Sequence, residues 1–347
     1  MGAIYVYTGN QNPRTLGFAM ASEQTSGNSS QNLLQGLVIR SQAGYMTVHT
    51  ARGDVLCRVR GKLRRGRAEG DLVAVGDQVL IEKHEDGSGS IARVLPRKSV
   101  LSRKLSGVNY EYQQILLANP DQVVLVFACA QPDPSLRMLD RFLVVAEKQE
   151  IPAVIVANKL DLVTRAQAEA LFEVYRRIGY DLIYTSTLTG EGIPEMKSRL
   201  QGKLNSLAGP SGVGKTSLLN SVQPGLAQEV GAVSRGLVGK GMHTTQVKQL
   251  FPLDAGGYLA DVPGLRTLAL WDIQDEELDA YFREIAPLVP NCQFNDCTHS
   301  HEPGCAVRKA AENGQIDPRR YDSYLRLRFG GKVVQAEDEE IDFETFD

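Results

Sequence analysis

Three groups of residues in this chain have the types and the spacing to do chemistry. The first is the ten-residue stretch Ala208, Gly209, Pro210, Ser211, Gly212, Val213, Gly214, Lys215, Thr216 and Ser217, which fills every position of a GxxxxGK[ST] phosphate loop. Its glycines let backbone N–H groups turn inward around a polyphosphate at the positive end of the following helix. Lys215 is then placed to reach the β and γ phosphates, and the Thr216 hydroxyl to ligate Mg²⁺. A short apolar run, Leu204 to Leu207, precedes the loop and a helical Ser-Leu-Leu-Asn-Ser-Val pattern follows it, so the context is strand, turn, helix.

The second group is Asn158, Lys159, Leu160 and Asp161. A carboxylate at the end of a buried strand can accept from the N1–H and exocyclic amine of guanine. Adenine offers neither donor there, so Asp161 would select GTP over ATP. Asn158 would tether the loop and reach the base, and the Lys159 stem would cover the ring. Ser186 and Thr187, after the next strand, lie where backbone amides could meet the base oxygen. Downstream, the glycine-rich stretch from Leu226 to Thr245 reads as a loop, with Thr245 preferred to Thr244 as a ligand of Mg²⁺ and the γ-phosphate. Asp261, ending Gly-Gly-Tyr-Leu-Ala-Asp, would hold Mg²⁺ through water, and the N–H of Gly264 would sense the γ-phosphate.

The third group is Cys292, Cys297, His299 and Cys305, with His301 as a competing fourth ligand. Three thiolates and an imidazole make a closed tetrahedral Zn²⁺ site, and closed sites are structural. The chain has five cysteines; an odd, clustered set favours a metal site in a reducing compartment over a disulfide framework. Cys57 and Cys129 stand alone in strand-like runs and read as core residues.

Elements that must carry these groups are legible around them. With 347 residues, 42% of them apolar, the chain has room for two or three cores. Residues 1–32 are rich in Ser, Gly, Asn and Gln and read as a disordered arm, with Met20 a plausible alternative start. Residues 33–100 contain five short β-like runs separated by Gly and Asp turns, which suggests a small barrel of OB type. The segment Arg58 to Arg67 places six cations in ten residues on it: Arg58, Arg60, Lys62, Arg64, Arg65 and Arg67 are the candidates for RNA contact. After a linker around Arg97 to Asn109, buried strands alternate with amphipathic helices over 101–273, which means a parallel doubly wound sheet binding ligands at its strand ends. A mainly helical zinc-binding segment spans 274–332. There Arg308, Lys309, Arg319, Arg320, Tyr321, Tyr324, Arg326 and Arg328 interleave cations with aromatics, as a helix on RNA would or as a surface helix burying its tyrosines would. Net charge is −3, but residues 336–347 hold seven acids and no Lys or Arg, so the rest of the chain carries +4; 333–347 reads as a disordered acidic tail. No run approaches a membrane span and no secretory signal opens the chain, so the sequence suggests a cytoplasmic protein without membrane contact.

The nucleotide motifs occur in a rotated order, with the base-recognition residues ahead of the phosphate loop. A barrel precedes them and a Cys/His cluster follows. In this combination the chain closely resembles the circularly permuted ribosome small subunit-dependent GTPase A family, over about residues 34–330. The resemblance implies a multidomain fold: an OB barrel, a permuted α/β P-loop GTPase domain and a helical zinc domain. It also implies a GTP hydrolase that engages the small ribosomal subunit and its rRNA late in maturation and leaves on hydrolysis to GDP. It selects His299 over His301. Leu265 occupies the place where many GTPases carry a water-positioning glutamine, and the resemblance makes His243 the catalytic candidate. Slow turnover alone and acceleration by the small subunit are therefore expected, as is a covalent route from the switch side to the zinc segment. A nucleotide-gated RNA-binding placeholder, in which GTP occupancy carries the function, is the alternative. Nothing demands more than a monomer.

Overall fold

The computed structural model describes residues 33–59, 72–104, 113–228, 230, 248–261 and 273–330. Five strands close a barrel first: β1 (Leu33–Gln42), β2 (Tyr45–Thr50), β3 (Gly53–Val59), β4 (Gln78–Lys83) and β5 (Gly89–Val94). They pair in the ring β1–β2–β3–β5–β4 and back to β1, with β3 and β5 parallel. Strict alternation puts Val38, Met46, Val48, Val55, Cys57, Val79, Ile81 and Ile91 inside, as the period of two requires. The expected OB-like barrel is thus present, its strands running from Leu33 to Val94. One of the five β-like runs, Leu72 to Glu82, is interrupted: Gly76 has φ +91°, and strand pairing starts only at Gln78. The buried Asp77 carboxylate accepts from the Ala74 N–H at 2.7 Å and pairs with Arg97 at 2.7 Å, which closes the turn against the barrel.

The stretch read as a linker around Arg97 to Asn109 contains a strand instead. β6 (Val100–Lys104) and β7 (Gln113–Ala118) form a separate two-stranded sheet. Asn119 Nδ2 donates to Gly76 O at 3.0 Å and the Ala118 N–H to Val75 O at 2.9 Å, so the hairpin is fastened to the barrel. A side chain at Gly76 would place its Cβ 2.0 Å from Ala118 O, which only glycine avoids.

The nucleotide-binding half follows. β8 (Gln122–Ala128), α1 (Leu136–Lys148), β9 (Ala153–Asn158), α2 (Arg165–Arg177), β10 (Asp181–Tyr184), α3 (Ile193–Leu200), β11 (Leu204–Ala208), α4 (Lys215–Val222), β12 (Lys248–Pro252) and β13 (Tyr258–Asp261) succeed one another. Strands β10–β9–β8–β11–β13 are parallel, and β12 joins antiparallel. Because parallel strands are covered on both faces, β8 is buried throughout and apolar from Val123 onward: Leu125 and Phe127 pack with Leu139, Phe142, Phe172 and Tyr175 of α1 and α2, while Val124 and Val126 pack with Met196, Leu200, Leu218 and Leu219 of α3 and α4. β12 also pairs with β1, so barrel and nucleotide sheet form one run of eleven strands.

The C-terminal part has two short 3₁₀ helices, Asp275–Tyr281 and Ala286–Asn291, then α5 (Ala306–Glu312) and α6 (Pro318–Arg328). Its core, with Phe282 and Tyr324 edge to face at 5.5 Å, packs around Cys297 and Cys305 and takes in Val144 of α1. Residues 1–32 and 333–347 lie outside the described residues. Among the described residues no helix is long and apolar enough to cross a membrane.

Candidate functional site

The phosphate loop runs from the end of β11 into α4. Gly209 has φ +147°, and a Cβ there would sit 2.1 Å from Val126 O; Gly214, at φ +90°, would clash with Asn158 Nδ2 at 2.5 Å. The turn therefore packs its backbone onto β8 and onto the base-recognition loop at once. Lys215 Nζ donates to Gly209 O at 2.7 Å and to Pro210 O, so its ammonium already lies across the mouth of the loop. Val213 is buried beneath the turn, while Ser211, Gly212, Thr216 and Ser217 are exposed. An exposed hydroxyl at the first turn of α4 is what a Mg²⁺ ligand needs. Asp261 ends β13, whose Ala260 faces Ser206 of β11, so its backbone reaches the same edge of the sheet.

Asn158 ends β9, and its amide joins two motifs. Its Nδ2 donates to Val213 O at 2.9 Å, and its Oδ1 accepts from Thr185 Oγ1 at 2.9 Å. Lys159 takes a left-handed conformation, φ 61°, which swings its side chain to the Gln131 carbonyl. Leu160 is buried, with its N–H donating to Thr185 O at 3.0 Å, and this leaves Asp161 exposed at the rim. Ser186 Oγ donates to Asp161 Oδ1, and the amides of Leu188 and Thr189 donate to Ser186 Oγ at 3.2 Å. Thr187 is half-buried beside it. Sequence reasoning assigned this turn to backbone amides alone. The side-chain hydroxyls of Thr185 and Ser186, which orient Asn158 and Asp161, were missed, and only the hydroxyl-rich composition after β10 signalled them.

His243, Thr244, Thr245 and Gly264 lie outside the described residues, as do Arg60, Lys62, Arg64, Arg65 and Arg67. Arg58 is on the outer face of β3, its guanidinium 4.4 Å from the centre of the Tyr45 ring.

Cys292, Cys297, His299 and Cys305 converge, with their donor atoms within 4.8 Å of one another. His299 Nδ1 lies 3.5 Å from Cys292 Sγ and 3.6 Å from Cys305 Sγ. A tetrahedral Zn²⁺ with typical Zn–N and Zn–S lengths spaces such donors about 3.6 Å apart, so the cluster fits a structural zinc. His299 Nε2 is 3.1 Å from Asp279 Oδ2, the outer carboxylate that fixes a ligating imidazole's tautomer. His301 is exposed and bonded to Ser300 Oγ at 2.8 Å, outside the donor set. Burial pushes the Cys297 thiol up to about 12 and the Cys305 thiol upward as well, so a cation binding here must displace thiol protons. Glu302 braces the loop: burial alone would raise its carboxyl, but bonds from Thr298 Oγ1, the Thr298 N–H and the Ser300 N–H hold it down at about 2. Cys57 and Cys129 are buried in the core, as expected, with burial pushing each thiol up to about 11.

Of the two readings of α6, the one that buries its tyrosines is the one the structure shows. Arg320 is only 2% exposed and donates to Asp140 Oδ1 at 2.5 Å and to Glu284 at 2.7 and 3.2 Å. Its guanidinium lies 4.5 Å from the Phe282 ring centre, and Tyr175 OH donates to the same Asp140 oxygen at 2.7 Å. Burial works against its charge, but Asp140 and Glu284 outweigh that and hold it protonated. Tyr321 OH donates to His299 O at 2.6 Å, Tyr324 OH to Thr298 O at 3.2 Å, and Arg328 to Tyr324 OH at 2.9 Å. These side chains clamp the zinc loop and dock it on α1 and α2. Inward-facing cations on a helix so rich in arginine are invisible to a count of charges.

A phosphate loop, a guanine-type recognition strand end bonded to it, and a rotated order on one parallel sheet define a circularly permuted P-loop GTPase. The model of the RsgA GTPase family matches residues 94–271, and that of the RsgA N-terminal domain matches 35–91. A relative from Gemmatimonas aurantiaca, named small ribosomal subunit biogenesis GTPase RsgA, is 44% identical over 297 residues, 84% of this chain and 96% of the relative. One of the same name from Caldanaerobacter subterraneus subsp. tengcongensis is 42% identical over 85% of this chain and 94% of its own. The crystal structure of YjeQ from Thermotoga maritima superposes with a TM-score of 0.71 at 37% identity, covering 86% of this chain and 98% of that one. YloQ, described as a circularly permuted GTPase, gives 0.67 at 29% identity, covering 90% and 100%. The chain belongs to the RsgA GTPase family.

Proposed function

We propose that this chain is a GTP hydrolase acting in maturation of the small ribosomal subunit, the role in the names of its relatives. The observation that carries the nucleotide assignment is the bond from Asn158 Nδ2 to Val213 O, which ties base recognition to the phosphate loop. In this reading Asp161 accepts from guanine while Ser186 holds its carboxylate in place, and a carboxylate has lone pairs enough for both. The amides of the 209–216 turn and the positive end of α4 bind the phosphates, and Lys215 exchanges its two carbonyl partners for phosphate oxygens. Mg²⁺, when bound with GTP, supplies charge neutralisation between the β and γ phosphates. Thr216, Thr245 and Asp261 would hold it, Gly264 would sense the γ-phosphate, and His243 would position the attacking water in place of the side chain that Leu265 cannot supply.

We divide the chain into an arm (1–32), an OB-type domain (33–100), a GTPase domain (101–273), a zinc domain (274–332) and a tail (333–347). Arg58 and the cationic run to Arg67 serve as the rRNA contact, with the protein acting as a cytoplasmic monomer. Zn²⁺ on Cys292, Cys297, His299 and Cys305 is structural, because all four positions of a tetrahedron are taken by protein. The test is GTP turnover with and without purified small subunits. Acceleration of an otherwise slow reaction is expected; equal turnover would defeat the reading, and preference for ATP in competition would defeat the base assignment.

A further inference from the structure

β12 occupies a place in the sheet that the order of the motifs does not require. One of its edges pairs with β13, setting Gln249 opposite Asp261; the other pairs with β1 of the barrel through Arg40 opposite Gln249 and Ser41 opposite Lys248. A row of directly facing residues therefore runs Leu56, Thr47, Arg40, Gln249, Asp261, from the barrel wall to the strand end assigned to Mg²⁺. Neighbouring strands in such a row are held about 4.8 Å apart by ladder bonds, so displacing one displaces the next.

Lys248 is the first residue of β12, three positions after Thr245. A lysine at the start of a strand usually extends its ammonium into water. Here Nζ donates to the Ile115 carbonyl of β7 at 2.5 Å. The hairpin pairing slips at that point: Leu101 faces Leu117, but Ser102 faces Ile115, so Leu116 is an extra residue that bends the strand. The hairpin is itself anchored, since Gln149 at the end of α1 accepts from the Ser102 N–H at 3.1 Å and donates to Ser102 O at 3.2 Å. The strand that Lys248 opens thus meets three bodies: the barrel by pairing with β1, the nucleotide sheet by pairing with β13, and the hairpin by the lysine ammonium.

We propose that Lys248 is a positioning residue that keeps β12 in register with barrel and hairpin, so that a partner gripping either bears, through the pairing of Gln249 with Asp261, on the Mg²⁺ side of the nucleotide site. The inference rests on the small-subunit reading above, and its tests separate the two. Lys248→Met keeps the apolar stem and removes the ammonium. GDP affinity and unstimulated turnover should stay within about twofold of the parent, while turnover at saturating small subunits should fall about tenfold, the scale of a charge-assisted bond; Lys248→Arg should restore it. An unchanged stimulation factor overturns the proposal, and so does an unstimulated rate that falls in step, which marks a purely structural bond. If the parent protein shows no stimulation, the small-subunit reading fails, and hydrogen exchange on the parent still decides the coupling. Amides in 36–42, 113–118 and 248–252 should change protection together when GDP is replaced by a non-hydrolysable GTP analogue. A change confined to 248–252 overturns it.

Discussion

Replacing Arg320 with methionine should destabilise the C-terminal part by about 3–5 kcal/mol, because removing one partner leaves buried opposite charges uncompensated. The side chains of Asp140 and Glu284 are 3% and 7% exposed, and both point at the guanidinium. Methionine would replace much of the apolar stem, though not the guanidinium over the Phe282 ring, so most of the loss is electrostatic. Asp140 keeps its bond from Tyr175, whereas Glu284 loses the 2.7 and 3.2 Å bonds and has no such substitute among the described residues. The burden falls on Glu284, which joins the two 3₁₀ helices beside the zinc loop. Neutralising the site together, Arg320→Met with Asp140→Asn and Glu284→Gln, should recover about half of the loss, since no buried charge then lacks a partner. Urea unfolding followed in parallel by far-ultraviolet dichroism and by zinc release to a chromogenic chelator reads both effects. A single variant that loses less than about 1 kcal/mol, or a triple variant less stable than the single, would refute the argument.

Asp161→Asn should weaken GTP binding about 100-fold or more by removing two charge-assisted bonds, and should improve binding of a xanthine nucleotide, whose carbonyl replaces the exocyclic amine; titration with fluorescent nucleotides checks both. Gly209→Ala should abolish nucleotide binding, because its Cβ meets Val126 O at 2.1 Å and the turn must open; calorimetric binding of GDP equal to the parent's would contradict this. Cys297→Ser should cost the protein its zinc. In the parent, zinc retention should fall as pH is lowered: the buried Cys297 and Cys305 thiols are shifted upward, so protons compete with the cation on the acid side. Metal content against pH by elemental analysis measures it, and retention independent of pH between about 7 and 5 would point to other ligands.

Motifs built from neighbours in sequence were legible without coordinates. The phosphate loop, Asn158 to Asp161 and the cysteine cluster each carry their chemistry within about fifteen residues, and local backbone geometry is enough to bring such groups together. Strand and helix periods were equally plain in β8, α1, β9 and α2, where burial on two faces or one writes itself into the apolar pattern. The hairpin of β6 and β7 and the strand β12 went unread, although Gly256-Gly257 marks the turn that follows β12. Their strands are short and mixed in polarity, and nothing in a short mixed run says which partner will complete it.

What folding alone decided is which distant groups share a charge or an edge. Arg320 and Arg326 look alike in a list of cations, yet the first is sealed against Asp140, 180 residues away, and the second lies at the surface with Asp322. A buried ion pair forms only where two elements bring both halves out of water together, and sequence spacing does not encode that meeting. The same holds for Lys248: a residue type predicts an exposed ammonium, whereas the register of β12 between β13 and β1 puts a carbonyl within its reach. Motif chemistry is local and survives rotation of the chain order; the coupling between modules depends on how the sheet is closed, and only the assembled sheet shows it.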